Sequence, residues 1–205
     1  MNLQIFKNNT SNVNSVVSFI DRMGLVDTEI SVNTTFERDN NVVILPGVSS
    51  FDPYIEQLTS SGMTDRIINQ GTIKVLGICA GAQVLFEGSD EGCLPGLRVF
   101  AGMVEKINQV GDYKIPHVGW NKLILNESHP YVNLFENINL LEKRFYFSHS
   151  YCMPDSEHVL AYVDYGYKIP AIVAKENFFA IQFHPEKSYR QGANLIRNIL
   201  QYEDS

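Results

Sequence analysis

The sequence predicts an α/β fold of three layers, in which helices cover both faces of a mostly parallel central sheet with antiparallel additions. Two patterns carry this prediction. In the first half, short apolar runs alternate with segments of helical periodicity, at the spacing of a doubly wound parallel sheet. In the second half, short strand-like runs follow one another between turn residues. The chain has 205 residues, the length of one domain, so we expect residues 1–205 to form a single domain.

Each element of the first half has its own signal. Residues 3–6 form the first predicted strand. One face of the following helix carries apolar side chains at helical spacing: Val13, Val16, Val17, Ile20 and Met23. Gly24 is the predicted C-cap of that helix. Residues 42–45 form a continuous apolar run ended by Pro46-Gly47, which is typical of a strand covered on both faces.

The remaining elements follow the same rules. Asp52-Pro53 begins a helix whose apolar positions are Tyr54, Ile55, Leu58, Ile67 and Ile68. A buried strand over residues 73–78 ends at Cys79. Short strands are predicted over residues 99–107, 120–125, 145–147, 159–163, 171–174 and 178–183. One face of a final helix carries Leu195, Ile196, Ile199 and Leu200. The short strands indicate antiparallel additions to the parallel sheet.

Composition and charge exclude several classes of protein. Apolar residues make up 44% and charged residues 19%, which excludes an intrinsically disordered chain. The net charge is 16 − 23 = −7 without any Lys/Arg cluster, so no nucleic-acid partner is expected. No apolar run reaches the ~20 residues of a membrane-spanning helix, and three cysteines without framework spacing suit a reducing cytoplasm. Clusters with metal-ligand spacing and phosphate-binding loops are absent, so we expect no metal and no cofactor.

Cys79 lies in a motif that favours a nucleophile. The sequence Gly77-Ile78-Cys79-Ala80-Gly81 follows a predicted strand and precedes a helix predicted over residues 83–87, which is the pattern of a nucleophile elbow. Its glycines relieve collisions in a strained turn, and the helix N-terminus favours a thiolate. The alternative is a buried cysteine acting as a small apolar residue. The two glycines at these offsets favour the nucleophile.

A base and an orienting carboxylate follow far along the chain. The predicted strand over 178–183 ends at Phe183-His184-Pro185-Glu186, which presents His184 at the edge of the sheet. Glu186 is two residues away and can accept a hydrogen bond from the imidazole. Histidines next to prolines are common in loops, so this motif alone is a weak signal. Together with Cys79 it predicts a Cys-His-Glu triad.

The combined motifs resemble a known family. Residues 77–83 and 183–188 resemble the class I glutamine amidotransferases. Residues 115–121 (Ile-Pro-His-Val-Gly-Trp-Asn) and 147–151 (Phe-Ser-His-Ser-Tyr) resemble one branch, the glutaminase subunits of imidazole glycerol phosphate synthase. The resemblance covers essentially the whole chain, and the four motifs occur in the order of that branch.

The resemblance implies a mechanism and a substrate, L-glutamine. Cys79 would attack the side-chain amide to form a γ-glutamyl thioester and release ammonia, with His184 moving protons and Glu186 orienting His184. The oxyanion hole would consist of the N–H groups of Ala80 and Val48, beside Gly47. The substrate would be held by Gln83 and Glu91 and by the main chain at Ser150 and Tyr151.

The resemblance also implies a partner, a cyclase subunit of the (β/α)₈-barrel type that receives the ammonia in a heterodimer. The residues expected at the interface are Asn12, Pro116, His117, Trp120 and Asn121. Residues 6–12 and Ser49-Ser50 depart from the family pattern, mainly where the partner is expected. Three alternatives therefore stay open: a paralogous ammonia-supplying subunit for a surface-polysaccharide sugar amidotransferase, a non-catalytic regulatory or scaffold subunit, and a cysteine peptidase or γ-glutamyl hydrolase acting alone.

Overall fold

The computed structural model describes residues 1–8, 13–36, 40–69, 71–140 and 143–202. Within these ranges the strands are, in chain order, β1 (Asn2–Phe6), β2 (Glu29–Asn33), β3 (Val42–Leu45), β4 (Lys74–Ile78), β5 (Gly88–Ser89), β6 (Met103–Lys106), β7 (His117–Asn121), β8 (Leu123–Leu125), β9 (Phe145–His149), β10 (Tyr151–Cys152), β11 (Val159–Asp164), β12 (Lys168–Lys175) and β13 (Phe178–Ile181). The α-helices are α1 (Val13–Arg22), α2 (Phe51–Ser60), α3 (Met63–Asn69), α4 (Ala80–Gln83) and α5 (Tyr189–Gln201). Short 3₁₀ turns span Val132–Phe135 and Pro185–Lys187.

The largest sheet among the described residues has the strand order β2-β1-β3-β4-β13-β12-β11-β8. Neighbouring strands from β2 to β13 are parallel. The pairs from β13 to β8 are antiparallel. The prediction of a mostly parallel sheet with antiparallel additions is therefore confirmed. Two smaller sheets, β10-β6-β5 and β7-β9, lie beside it.

Helices cover the central sheet on both faces. One cluster of buried apolar side chains joins the sheet to α1 and α5, and a second joins it to α2 and α3. Strand β3 contributes side chains to both clusters. Ile44 belongs to the first cluster, whereas Val43 and Leu45 belong to the second, because successive strand residues point to opposite faces. The three-layer prediction is confirmed.

Some elements differ from the predictions. The helix predicted after Asp52 is two helices, α2 and α3, because the chain turns at Gly62 in a left-handed conformation (φ +71°). Ile68 is 50% exposed and is not part of the apolar face. The strand predicted over 120–125 is two strands, β7 and β8, in different sheets. Strand β2 lies at the sheet edge with every residue at least partly exposed, so it lacks the apolar run that would predict it.

The helix predicted over residues 83–87 is wrong. Only Ala80–Gln83 is helical, and the carbonyl groups that follow accept hydrogen bonds from another segment. The N–H of Leu97 donates to Val84 O, and that of Arg98 donates to Phe86 O. Because these acceptors are occupied, the helix does not continue. The N–H groups of Val99 and Phe100 likewise donate to Leu85 O, so the strand predicted over 99–107 is reduced to β6.

Three neighbouring parallel strands, β3, β4 and β13, end at one edge of the sheet. The chain leaves β3 into Pro46-Gly47-Val48, β4 into Cys79, and β13 into Gln182 and His184. The carboxyl ends of adjacent parallel strands are where open α/β sheets bind their ligands. The topology thus brings together segments that are far apart in the sequence.

Candidate active site

Cys79 occupies a sharp turn between β4 and α4. Its backbone has φ +53° and ψ −110°, a conformation that residues other than glycine rarely adopt. The turn is anchored by the N–H of Cys79, which donates to Ile181 O over 2.7 Å. A Cβ atom on Gly81 would lie 1.9 Å from Leu45 O, and one on Gly77 would lie 2.3 Å from the carbonyl oxygen of Gly81. The two glycines of the motif are therefore required for the turn to pack against β3 and against itself, as in a nucleophile elbow.

His184 lies between Cys79 and Glu186. Its Nδ1 is 2.9 Å from Glu186 Oε1, and its ring is near enough to Cys79 for the thiol to influence its protonation. The thiol of Cys79 itself lies 3.8 Å from Ser148 O. Since Nδ1 faces the carboxylate, Nε2 is the nitrogen available to the sulfur. Both side chains of the His184–Glu186 pair are more than nine-tenths buried. Burial opposes a positive charge on the ring, but hydrogen bonds to Cys79 and Glu186 and attraction to the same groups outweigh it and raise the pKa of His184 to about 9.

The backbone of His184 is fixed by strand β9. Its N–H donates to Tyr146 O over 2.8 Å. The hydroxyl of Ser188 donates to His184 O over 2.6 Å and accepts from the N–H of Tyr146 over 3.0 Å. This closed set of hydrogen bonds ties the turn after β13 to the neighbouring small sheet, and so sets the position of the imidazole.

A cavity of about 300 Å³ lies in front of the elbow. Its wall includes the following residues that the sequence analysis predicts for the site: Gly47, Val48, Cys79, Ala80, Gln83, Glu91, Ser150, Tyr151 and His184. Glu186 lies behind His184, away from the cavity wall. The structure thus brings the predicted catalytic, oxyanion and substrate-binding residues to one place.

Gly47 packs directly against the elbow. A Cβ atom at this position would lie 2.2 Å from Ile78 O and 2.4 Å from Ala80 N. A glycine is needed here because the backbone of the elbow occupies the space that a side chain would fill. Ala80 begins α4, and the N–H of a first helical residue has no acceptor within its helix. Ala80 therefore presents its N–H beside Cys79, and Val48 lies in the same cavity wall.

Gln83 is held by its side-chain amide. Its Nε2 donates to Tyr151 O over 2.9 Å and to Gln182 Oε1 over 3.2 Å. Gln182 is fully buried, and its own Nε2 lies 3.9 Å from Cys79 Sγ. The sequence pattern does not identify Gln182 as a site residue. The available signal is a single amide inside the apolar run before His184, because a buried polar residue is unusual.

Strand pairing determines where the main chain of Tyr151 points. The N–H of Ile107 donates to Ser150 O over 2.9 Å, and Tyr151 lies opposite Lys106 in the antiparallel pair of β10 and β6. Hydrogen-bonded and non-hydrogen-bonded positions alternate along such a pair. The N–H and C=O of Tyr151 therefore point away from β6, to the side on which Gln83 lies.

Glu91 reaches the cavity wall from the segment after β5. Its Oε2 accepts the N–H of Phe51, at the start of α2, over 3.1 Å. Burial raises the pKa of Glu91, the Phe51 hydrogen bond opposes the rise, and the nearby Asp52 carboxylate adds to it. Asp52 itself accepts the N–H groups of Cys93 and Leu94. Glu91 is consequently a partly buried side chain held in place by hydrogen bonding, unlike a charged side chain that is fully exposed to solvent.

The predicted interface residues have different surroundings. Pro116 lies in the cavity wall. The ring of Trp120 is partly exposed and stacks on Tyr189, with centroids 4.9 Å apart and planes at 12°. Tyr189 is itself 75% exposed. Asn12 lies outside the described residues.

His117 is a correction to the predicted interface. Its side chain is only 1% exposed, so it does not reach a partner. Its Nδ1 instead lies 3.0 Å from His149 Nε2, and its Nε2 lies 2.9 Å from Asn121 Nδ2. His149 is 5% exposed and lines the cavity. The sequence shows both histidines but not their contact, which depends on the register of β7 and β9.

Metal-binding clusters, membrane-spanning helices and further cysteines at the cavity are absent from the part of the chain that the structure describes. Within it, no group of three or more His, Cys, Asp or Glu side chains is placed to hold a metal ion. None of the helices there has the length and apolar character that crossing a membrane demands. Cys93 is exposed and Cys152 is partly buried, and neither lines the cavity.

Comparison with known proteins identifies the family. A family model described as "Glutamine amidotransferase class-I" matches residues 5–201. The chain belongs to this family. Among curated proteins, this amidotransferase is 35% identical to the imidazole glycerol phosphate synthase subunit HisH of Haemophilus influenzae over 201 residues, 98% of each chain. It is 36% identical to the subunit HisH 2 of Pseudomonas aeruginosa, over 93% of this chain and 94% of that protein.

Solved structures agree on the fold of this amidotransferase. A crystal structure of a glutamine amidotransferase superposes with a TM-score of 0.69 at 19% identity and covers 97% of both chains. The structure of PurLQS from Thermotoga maritima gives a TM-score of 0.69 at 21% identity and covers 98% of both chains. At these identities the likeness shows the shared fold, a mixed α/β architecture around a large sheet.

Proposed function

We propose that this amidotransferase is the glutaminase subunit of an imidazole glycerol phosphate synthase and releases ammonia from glutamine for histidine biosynthesis. One observation carries the chemistry: the buried imidazole of His184 lies between the thiol of Cys79 and the carboxylate of Glu186. The pathway is supported by relatives of 35% and 36% identity that carry the name of that synthase. The cysteines in the described residues are free, which suits a cytoplasmic enzyme.

Cys79 acts as the nucleophile in two steps. Its thiolate attacks the carbonyl carbon of the glutamine side-chain amide, and the carbon–nitrogen bond breaks as the His184 imidazolium protonates the leaving nitrogen. Ammonia leaves, and a γ-glutamyl thioester remains on Cys79. The neutral imidazole then takes a proton from water, the resulting hydroxide attacks the thioester, and glutamate leaves as the thiolate and imidazolium are restored. Glu186 holds His184 in the required orientation and stabilises its positive charge.

The negative oxygen of each tetrahedral intermediate needs donors that are already in place. The N–H groups of Ala80 and Val48 serve this role, because Ala80 follows the nucleophile and Val48 follows the glycine that packs against the elbow. Gly47 makes the approach of Val48 possible. Removing one such donor typically costs ~10²–10³ in rate.

The substrate fits the polar groups of the cavity wall. Glu91 offers a carboxylate to the α-ammonium group of glutamine. The N–H of Tyr151 points toward Gln83, and with the main chain at Ser150 it forms the side of the cavity that receives the α-carboxylate. Gln83 contacts the bound amino acid from the floor next to Cys79. The cavity of about 300 Å³ is of a size for a small molecule of this kind.

Ammonia passes to a cyclase subunit of the (β/α)₈-barrel type. The docking surface includes Trp120 and Asn121 of β7 and Pro116 at the cavity, and Asn12 belongs to it by the sequence pattern. Val48 is 53% exposed and Val118 is 55% exposed, so apolar side chains lie open at the cavity and on β7. Exposed apolar residues of this kind are typical of a surface that binds another protein.

A reconstitution experiment tests this function. Glutamate formation from glutamine is measured for the chain alone, with the cyclase subunit of the same organism, and with that cyclase loaded with its nucleotide substrate. We expect slow turnover alone and a marked acceleration by the loaded cyclase, which Cys79→Ser abolishes. Rapid turnover by the isolated chain, or indifference to the loaded cyclase, would contradict the proposal.

A further inference from the structure

We propose that the buried side chains of His117, His149 and Gln182 are positioning residues that fix the amide of Gln83 with its oxygen toward the bound glutamine. The inference rests on the proposed function, since it concerns how the same cavity recognises its substrate. The role proposed for the three is positioning, although Gln182 Nε2 also lies 3.9 Å from Cys79 Sγ. They act through Gln83 and through the main chain of Tyr151.

The chain of hydrogen bonds has only one possible direction. Tyr151 O can only accept, and His149 Nδ1 lies 2.8 Å from it, so the proton of His149 is on Nδ1. In the neutral ring Nε2 is then an acceptor, and His117 Nδ1, 3.0 Å away, must donate to it. His117 Nε2 in turn accepts from Asn121 Nδ2 over 2.9 Å. The protons thus point from Asn121 through both rings to Tyr151 O.

Both rings are held neutral and in place. Burial lowers the pKa of His117 to about 4 and that of His149 to about 3. A charged His149 would place an N–H on Nε2, directly against the N–H of His117. The ring of His117 stacks on Phe147 and Tyr165, with centroid distances of 4.7 Å and 3.9 Å. The tautomers and ring orientations are therefore fixed around neutral pH.

The same logic fixes Gln83. Its Nε2 has two hydrogens, and these are directed to Tyr151 O and Gln182 Oε1. Both donors are used, so the group that remains for the cavity is Oε1, an acceptor. Because Gln182 Oε1 accepts from Gln83, Gln182 Nε2 faces Cys79 Sγ, 3.9 Å away. The cavity therefore presents a carbonyl oxygen, which suits an ammonium or amide N–H of the substrate and disfavours a carboxylate.

The loss of His149 removes one of the two bonds that hold Tyr151 O. In His149→Leu the carbonyl and the Gln83 amide become free to turn, and we expect KM for glutamine to rise about tenfold while kcat changes less than about threefold. In His149→Asn the side-chain N–H₂ occupies the place of Nδ1, and KM should return to within about threefold of the parent value. His129→Leu is the matched control, because His129 is also buried (5% exposed) but does not line the cavity, and its KM should not change.

Covalent labelling separates this inference from the proposed function. In the complex with the cyclase and on a Cys93→Ser background, Cys79 is labelled with a glutamine-derived chloromethyl ketone or with iodoacetamide, and the modified peptide is quantified by mass spectrometry. The labelling rate with the glutamine analogue, divided by the labelling rate with iodoacetamide, should fall about tenfold in His149→Leu and stay unchanged in His129→Leu. If His149→Leu does not fold, His117→Phe, which keeps the ring stack, should show the same fall.

Two results would overturn the inference in distinguishable ways. An unchanged ratio and KM in the histidine variants, with Cys79 still labelled by the glutamine analogue, would refute the positioning role alone. A parent protein whose Cys79 reacts with iodoacetamide but not with the glutamine analogue would refute the glutaminase proposal, and the positioning role with it.

Discussion

Ile181 and Ile78 are partners in the parallel pair of β13 and β4, so the strands that carry His184 and Cys79 end side by side. The imidazole that emerges from β13 faces the carboxylate of Glu186 across 2.9 Å. Residues from distant parts of the chain are thus joined by the register of two neighbouring strands. The geometry of the proposed triad follows from the sheet, and the predictions below test what each part contributes.

The pH dependence of the enzyme should report on His184. The first step needs a protonated imidazole, so kcat/KM should fall as pH rises through about 9, the pKa of His184. In Glu186→Gln the negative charge that stabilises the imidazolium is lost, so this pKa falls and the alkaline decline begins at lower pH. We also expect kcat to drop about 10²-fold, since orientation is lost with the charge. Alkaline limbs with the same midpoint in both proteins would refute the role of Glu186.

Folding stability should weaken in mild acid because of two of the buried histidines, His117 and His149. The pKa values of His117 (about 4) and His149 (about 3) lie below the value of about 6.5 in an unfolded chain. Between these limits the unfolded state binds protons that the folded state excludes, so stability is full above pH ~6.5 and is lost as pH falls toward ~4. Thermal unfolding should show a drop in Tm from pH 7.5 to 5 that is roughly 5 °C larger in the parent than in His117→Phe. Equal drops would show that these rings are not held neutral.

Gly47 should be intolerant of any side chain. In Gly47→Ala the added Cβ meets backbone atoms of Ile78 and Ala80, so the elbow or the oxyanion turn must shift. We expect kcat/KM to fall by at least about 10²-fold. Gly71→Ala is the matched control, because a Cβ there has open space around it, and it should be close to neutral. The account of the oxyanion turn fails if both variants keep parental activity.

Local sequence signals predict the parts of the site that lie within one motif. The glycines around Cys79 and the spacing of His184 and Glu186 are short-range patterns. In the structure the glycines lie where a Cβ atom would collide with the backbone, and His184 Nδ1 lies 2.9 Å from Glu186 Oε1. The contact between His117 and His149 is different, since it depends on the register of β7 and β9. Gln182 shows no periodic signal, because its importance comes from its neighbours Gln83 and Cys79 in the folded chain.

In the fold, too, local sequence signals predict some elements, whereas others depend on tertiary contacts. The apolar runs of β3 and β4 and the amphipathic face of α5 are predicted well, because burial in the central layers demands them. Strand β2 is missed because an edge strand needs no apolar run. The helix predicted over residues 83–87 fails because residues 97–100, whose approach is a tertiary event, occupy the carbonyl groups that the helix would use.

Ammonia release by Cys79→Ser in the complex with the loaded cyclase tests the central claim most directly. Cys93→Ser serves as the control, since Cys93 is exposed and outside the cavity. We expect Cys79→Ser to lose at least about 10³-fold in ammonia release, because the covalent intermediate needs the sulfur, and Cys93→Ser to match the parent. Equal rates of ammonia release in the two variants would contradict a reaction that passes through Cys79.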